Sequence, residues 1–340
     1  MSLGNICESS KLRTDNFSSK YRYFPFFMFI FAFEMKTKET DMTLIVLAAT
    51  MGNRYGGLKQ LEGIGPNGET ILDYSVYDAV KVGFTRIVFV ISRYFEEEFK
   101  LKVAEKYEGL VRVDYVYQEV DLVPDHLRSP KRSLLWGSAH AVLMARDIID
   151  APFGVINAVN FYQRESFELL YRHLLELHPA DKHYFMVSYR LYNVLPENAA
   201  VTRGICDITD DGKLLSVVDR HGVERISGNP VCVNEHGKTE PLDVNSFVSM
   251  NMWGFTPTIF GSLNAAFDVF ITEHGMDLKQ HFSIPDFINE MIRNGLHVQT
   301  FETPARWMGL VSPEDRSQVI LRINELVRKG IYPVRLFEPN

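Results

Sequence analysis

Gly52, Arg54, Gly56, Gly57 and Lys59 fall together in the stretch 52–59, directly behind the apolar run Leu44 to Ala49. Glycines let a backbone approach a ligand closely, and the successive N–H groups of such a loop form a concavity that suits an anion. The arginine and the lysine add two positive charges at fixed offsets. Together these residues suit a triphosphate. Two familiar alternatives fail on spacing. Thr50 stands where the first glycine of a G-x-G-x-x-G dinucleotide fingerprint would fall. No G-K-[ST] of a Walker A loop follows.

Other chemistries lack their residues. The chain has no C-x-x-C, no nucleophile elbow and no H-E-x-x-H. Its three cysteines, Cys7, Cys206 and Cys232, show neither paired spacing nor a metal pattern, which fits a reducing, cytoplasmic setting. A net charge of −7 disfavours a polynucleotide partner. His140, alone on its helix, reads as a packing or surface residue rather than a catalyst. The 24 Phe and 12 Met, at helical and strand spacings, read as core rather than as a cofactor box.

The elements that would position the loop follow from periodicity. Leu44 to Ala49 is continuously apolar, as a strand buried on both faces must be. Thr70 to Val82 reads as a helix capped by Thr70 and stopped by Gly83. Arg86 to Ile91 reads as a strand, Phe95 to Tyr107 as a charged helix, and Val111 to Tyr117 as a third strand. This βαβαβ alternation argues for a parallel sheet with helices on both faces, and ligands in such sheets lie beyond the carboxyl ends of the strands. Asp121 to Leu134, with its prolines and basic residues, reads as a flexible surface loop, and Ser138 to Ile149 as a helix.

In the second half, Tyr184 to Tyr189 and Val201 to Asp207 read as strands. Asp210-Asp211-Gly212-Lys213 turns into Leu214 to Val218, an antiparallel excursion. Gly222 to Val244 reads as loop. Pro257 to Glu273 and Ile284 to Asn294 are expected helices, His297 to Phe301 a strand, and Pro313 to Gly330 a closing amphipathic helix.

With 340 residues, 46% hydrophobic and 23% charged, the chain has an ordinary globular balance and ample core for one large α/β domain or two smaller ones. Residues 1–41 differ from the rest. Tyr21 to Phe33 is dense in aromatics, but an apolar run of about a dozen residues is too short to span a membrane. No small-x-small cleavage site precedes Glu34-Met35-Lys36. The segment reads as an extension outside the core with no part in catalysis; a membrane or partner anchor is the alternative.

The string from Leu44 to Gln60 resembles the L-A-A-G-x-G-x-R-x-G-x-x-K loop of the sugar-1-phosphate nucleotidylyltransferases, also called NDP-sugar pyrophosphorylases. Pro66 to Tyr74 is similar to that family's turn into its first helix. Gly137-Ser138-Ala139-His140-Ala141 resembles its base-binding segment, Pro152 to Ala158 its metal-bearing strand, and Ser249 to Phe255 a sugar-pocket strand. The likeness runs in order over residues 43–335. It implies an α/β nucleotide-diphospho-sugar transferase fold: a Rossmann-like, mostly parallel twisted sheet with helices on both faces and an antiparallel sugar-side excursion. One domain, 42–335, would hold a nucleotide-binding half (42–180) and a sugar-side half (181–335).

The implied activity is transfer of a nucleoside monophosphate from a nucleoside triphosphate to a sugar-1-phosphate, with release of pyrophosphate. Those two molecules are the implied partners, with neither nucleic acid nor membrane among them. By the same resemblance Arg54 and Lys59 are catalytic, holding the nucleotide phosphates and the leaving pyrophosphate. Leu47, Ala48, Ala49, Thr50, Met51, Gly52, Gln118, Gly137 and Ala139 would line the nucleotide. Glu197, Asn198, Arg203 and Asn251 would meet the sugar phosphate, and Mg²⁺ would bridge the phosphates.

Four departures cut across this likeness. Val159 stands where the family has the aspartate that binds Mg²⁺, and valine offers no oxygen to a hard cation. Thr50 and Gln163 replace glycines. Asp219-Arg220 stands where many members carry Glu-Lys-Pro, whose lysine holds the sugar phosphate. Asn160, with Asn157 beside it, offers only a neutral amide oxygen to a metal. A second expectation therefore stands beside the transferase: a descendant that binds a nucleotide or nucleotide sugar and acts through a partner.

Overall fold

A computed structural model describes residues 41–49, 62–107, 109–196, 199–234, 236–310 and 315–337. In chain order they form β1 (Thr43–Leu47), α1 (Ile71–Val82), β2 (Arg86–Ile91), α2 (Glu96–Val103), β3 (Arg112–Tyr117), α3 (Ser138–Leu143), β4 (Phe153–Asn157), β5 (Asn160–Phe161) and α4 (Arg164–Leu174). Then come β6 (Tyr184–Arg190), β7 (Val201–Ile208), β8 (Leu214–Ile226), β9 (Asn229–Val233), β10 (Thr239–Pro241), β11 (Phe247–Phe255), α5 (Ile259–His274), α6 (Ile284–Arg293), β12 (Val298–Glu302), β13 (Met308–Gly309) and α7 (Asp315–Arg328).

β1 lies between β2 and β4 and pairs in parallel with both, while β3 extends the sheet beyond β2. β11 runs antiparallel to β4 and to β6, so β6 and its parallel neighbour β12 point the same way as β1 to β4. The central sheet β3-β2-β1-β4-β11-β6-β12 is therefore mostly parallel, with β11 alone reversed. β7, β8, β9 and β10 continue from the first half of β11 as an antiparallel excursion.

Alternate residues of β1 explain why its sequence is apolar throughout. Leu44 and Val46 point into one core cluster with α1, α2 and α4; Ile45 points into the other with α3, α5 and α6. All three side chains are fully buried. Burial on both faces is worth up to ~2 kcal/mol per aliphatic side chain, and a polar residue at any of the three would forfeit it. A third cluster packs α7 and Tyr332 against Ile71 and Tyr74 of α1.

The local signals around α1 behave as expected. Thr70 Oγ1 accepts from Asp73 N (3.1 Å) while Asp73 Oδ2 accepts from Thr70 N (2.6 Å), a reciprocal capping box. Gly83 ends the helix at φ 118°, which a residue with a Cβ would enter only with strain.

Several boundaries differ from the sequence reading. β1 ends at Leu47, so Ala48 and Ala49 are already loop. α3 stops at Leu143 rather than Ile149, because the next N–H groups (Ala145, Arg146, Ile148) bond three residues back and tighten into turns. Gly222 to Val244 is not loop: β8 runs to Ile226, and β9 and β10 follow. The pairing shifts between His221 and Glu224, which breaks the alternation that would mark a strand. Asp121 to Leu134 is anchored rather than loose, because Val123, Ser129 and Arg132 are buried.

Candidate functional site

The carboxyl ends of β1, β2, β3 and β4 frame a cleft of about 430 Å³, within the range of small-molecule sites. Its floor is Leu47, Ala48 and Ala49 after β1. Ser92 and Tyr94 follow β2, Gln118 and Glu119 follow β3, and Asn157, Ala158 and Val159 end β4. The chain passes from β3 across to β4 on the far side of β1, so the cleft sits where the strand order reverses, the usual ligand position in an open α/β sheet. Ser133 to Leu135, Gly137, Ser138, Ala141 and His281 make the opposite wall.

Arg132 holds that wall together. Its guanidinium donates to the backbone carbonyls of Leu134 (2.9 Å), Gln280 (2.8 Å) and Asp277 (2.5 Å) and lies 3.8 Å from the Trp136 ring centroid. Trp136 Nε1 donates in turn to Val120 O (3.1 Å). One buried cation thus ties the stretch 132–136 to the loop that carries His281. Gly137 follows at φ 112°, where a Cβ would come within 2.4 Å of Phe282 O. Nothing larger than glycine fits this meeting of loop and wall.

Gln118 is buried at the edge of the cleft. Its Nε2 donates to Gly137 O (2.8 Å) and lies 3.1 Å from His140 Nδ1. His140 is buried too, with its ring 4.5 Å from that of Phe267, and burial pushes its pKa down to about 3. The imidazole is therefore neutral. Sequence reasoning read His140 as packing or surface; the structure adds its contact with Gln118, which spacing alone did not signal.

The β4 side is arranged differently. Asn157 Oδ1 accepts from Asn251 Nδ2 (2.8 Å), and Asn251 Oδ1 accepts from Trp253 Nε1 (2.8 Å). Asn251 adopts φ 61° at an irregularity of β11, a conformation asparagine tolerates better than most residues. The Tyr162 hydroxyl accepts from Asn157 N and Asn160 Nδ2 (3.0 Å each) and donates to Met250 O (3.1 Å). Val159 lines the cleft with an aliphatic side chain.

A magnesium ion takes oxygen ligands and is commonly held through one or two carboxylates. Here the Asn157 oxygen is engaged, Asn160 is buried in the tyrosine network, and Val159 has no donor. Among the described residues no group of three or more His, Cys, Asp or Glu side chains converges to hold a metal. The residues at this strand end do not fit a protein-held Mg²⁺.

Of the residues singled out from sequence, the structure brings Leu47, Ala48, Ala49, Gln118 and Gly137 to one cleft. Ala139 is buried behind the wall, its N–H donated to Phe282 O (3.0 Å). Arg203 is buried away from the lining. It donates to Val194 O (2.7 Å) and Thr202 O (2.9 Å), with its guanidinium over the Trp307 ring, and burial lowers its pKa to about 10. Asn160 and Asn251 stand behind Asn157 rather than in the lining. Arg54, Lys59, Thr50, Met51, Gly52, Glu197 and Asn198 lie outside the described residues. The described lining contains no lysine or arginine.

Ser92, Tyr94, Glu119 and His281 line the cleft without having been singled out. Ser92 and Glu119 follow strand ends, where ligands of an open α/β sheet lie, and were reachable by that rule; Gln118 came from the family resemblance. Glu119 accepts from Ser92 Oγ (3.0 Å) and Arg93 N, which fixes the turn after β2. His281 comes from a loop far along the chain, and only the tertiary fold places it there.

No family model and no curated protein matches this sequence. Solved structures do match the fold. The inositol-1-phosphate CTP transferase from T. maritima aligns with a TM-score of 0.55 at 14% identity, covering 84% of this chain and 97% of that one. A structure described as a glucose-1-phosphate thymidylyltransferase from Bacillus anthracis, in complex with a sucrose, aligns with a TM-score of 0.57 at 15% identity, covering 84% and 96%. At these identities the likeness establishes a shared mixed α/β fold with a mostly parallel central sheet.

Proposed function

We propose that the cleft binds a nucleoside triphosphate and that the chain transfers its nucleoside monophosphate to a sugar-1-phosphate. The observation that carries this reading is the fixed amide of Gln118 beside a glycine-lined wall, at the strand ends where the glycine-rich stretch 50–61 begins. Both compared structures bear names of transferases that act on a 1-phosphate with a nucleotide, which supports the class.

In this reaction an anionic oxygen of the sugar-1-phosphate attacks the α-phosphorus and forms a new P–O bond. The bond from that phosphorus to the bridging oxygen breaks, and pyrophosphate leaves with the electron pair. The nucleophile is already an anion, so no side chain need take a proton. The protein's work is alignment and charge stabilisation. Arg54 and Lys59 are assigned the β- and γ-phosphates from the family resemblance, the Ala48–Ala49 and Gly137 backbone the base, and Glu197 and Asn198 the sugar side; Arg203 and Asn251, committed to other partners, are left out of the contact set.

A second reading, nucleotide binding without turnover, rests on Val159 and on the engaged amide of Asn157. Calorimetry with nucleoside triphosphates, on the wild type and on Lys59→Ala, tests the part common to both. The expected result is at least tenfold weaker binding by the variant, the scale of a lost charge-assisted contact. Equal affinities would remove Lys59 from the site. Pyrophosphate release across a panel of sugar-1-phosphates then separates the transferase from the binder.

A further inference from the structure

The stretch that carries Arg54 and Lys59 starts after Ala49 and ends before Glu62, three residues past Lys59. On the near side the chain is fixed by the sheet, where Ala48 N donates to Val90 O (2.9 Å). On the far side a different part of the molecule holds it. Residues 63–70 make a tight hairpin: Gly63 pairs with Thr70, and the N–H groups of Ile64 (2.7 Å) and Gly65 (2.8 Å) both donate to Glu69 O. Ile64 is buried in one core cluster with Val319, Ile323 and Tyr332. At the hairpin's tip Asn67 Nδ2 donates to Val334 O (2.5 Å). At its base Arg316 Nη2 donates to Gly63 O (3.0 Å), and Arg316 Nε lies 3.5 Å from Glu62 Oε2. Arg316 stands in the first turn of α7, where a cation opposes the helix dipole, so the helix itself gains nothing from the charge.

We propose that Arg316 is a positioning residue for the triphosphate: it clamps Glu62 and Gly63, the far anchor of the phosphate-binding stretch, so that α7 acts on the site without lining the cleft. The inference rests on the assignment of the β- and γ-phosphates to Arg54 and Lys59 and deepens it by naming what holds that stretch in place. The two side chains of the clamp are 47% and 33% exposed, and an ion pair so open to solvent adds little to global stability. Its loss is therefore felt at the anchor rather than as unfolding. The rival account is charge alone. A cation that merely attracts a polyanion from a distance predicts weaker triphosphate binding in Arg316→Ala but tighter binding in Glu62→Gln, which removes a negative charge. A clamp predicts a loss in both, because each substitution breaks the same pair.

The test measures Kd for ATP, CTP, GTP and UTP and for the matching monophosphates, so that the ratio within each pair isolates the β- and γ-phosphates. The expected result is a triphosphate advantage that falls about fivefold in Arg316→Ala and about threefold in Glu62→Gln, which keeps the bond to Gly63 O, with monophosphate affinity within about twofold of wild type. The double variant loses no more than Arg316→Ala, since the two residues share one contact. Arg316→Lys recovers part of the loss, as a single donor replacing a fork should. An unchanged ratio in Arg316→Ala, a gain in Glu62→Gln, or an equal loss for the monophosphates overturns the proposal. A wild type that binds none of the triphosphates overturns both this inference and the function it rests on. A wild type that binds triphosphates no more tightly than monophosphates overturns the inference and the roles of Arg54 and Lys59, and leaves nucleotide binding standing.

Discussion

At the Gln118 wall of the cleft, an amide is held by two partners and keeps its oxygen unpartnered among the described residues. At the β4 wall, Asn157, Asn251, Asn160 and Tyr162 bond to one another, and Asn157 shares the lining with the aliphatic Ala158 and Val159. Both walls are buried, hydrogen-bonded and positioned by strand ends. They differ in what is left over for a ligand. A polar group that closes its bonds internally stabilises the fold, while one anchored with a lone pair to spare can recognise something. Under the proposed function, the first wall would face the base and the second the reacting phosphates.

The largest expected effect comes from the Gln118 wall. Gly137→Ala places a Cβ against Phe282 O at a positive φ, and should cost ~3 kcal/mol of stability and abolish nucleotide binding. Denaturant titration with calorimetry checks this; a variant of wild-type stability would show that the wall yields easily and is not a fixed template.

His140 gives the next effect, through pH. Its folded-state pKa, about 3, lies below the ordinary value of about 6.5 for an unfolded histidine. The unfolded chain therefore binds more protons between those values, and stability falls as pH drops below about 6.5. Between pH 7 and pH 5 this residue alone should remove ~2 kcal/mol. The loss should be absent from His140→Asn and so appear in full as the difference between the two proteins, measured by urea unfolding at both pH values. A parallel pH profile for the two proteins would mean that the histidine is not held neutral.

Val159→Asp tests the other wall by supplying the anionic oxygen it lacks. Pyrophosphate release should rise about tenfold, or ~1.4 kcal/mol in the barrier, and become dependent on added Mg²⁺. If the wild type already turns over at an ordinary rate and the variant matches it, the contrast between the walls is broken as an account of activity.

The smallest effect belongs to Gln163, which opens α4 at φ 62° and ψ 156°, a region that only glycine enters readily. Its Oε1 accepts from Arg306 N (2.8 Å), which offsets part of the strain. Gln163→Gly should stabilise the protein by ~1 kcal/mol, read as a higher urea midpoint with an unchanged slope. A destabilised variant would assign the Arg306 contact more weight than the backbone strain.

Legibility followed the source of each signal. Thr70 and Gly83 bounded α1 in the sequence because caps are local, and β2 was visible from Arg86 to Ile91 because burial on both faces leaves an unbroken apolar run. The end of β8 was missed because the pairing shift between His221 and Glu224 breaks its alternation, and β9 because it is only five residues long and opens with Asn229-Pro230, types depleted in strands. Arg132 looked like part of a basic surface loop, since nothing near it in sequence reveals the carbonyls of Asp277 and Gln280.

The same division runs through the cleft. The sequence by itself determined the parallel frame and the position of the cleft beyond the strand ends, because side-chain period is set by neighbours along the chain, while Gln118, Gly137 and Val159 were singled out through the family resemblance. Only the tertiary structure decided that the Gln118 amide is held by His140 and Gly137, that Asn157 is engaged by Asn251, and that Arg203 faces Trp307 away from the lining. Those outcomes depend on which donors and acceptors meet after distant segments pack, and hydrogen-bond bookkeeping in a buried space is closed by partners that the linear chain does not show.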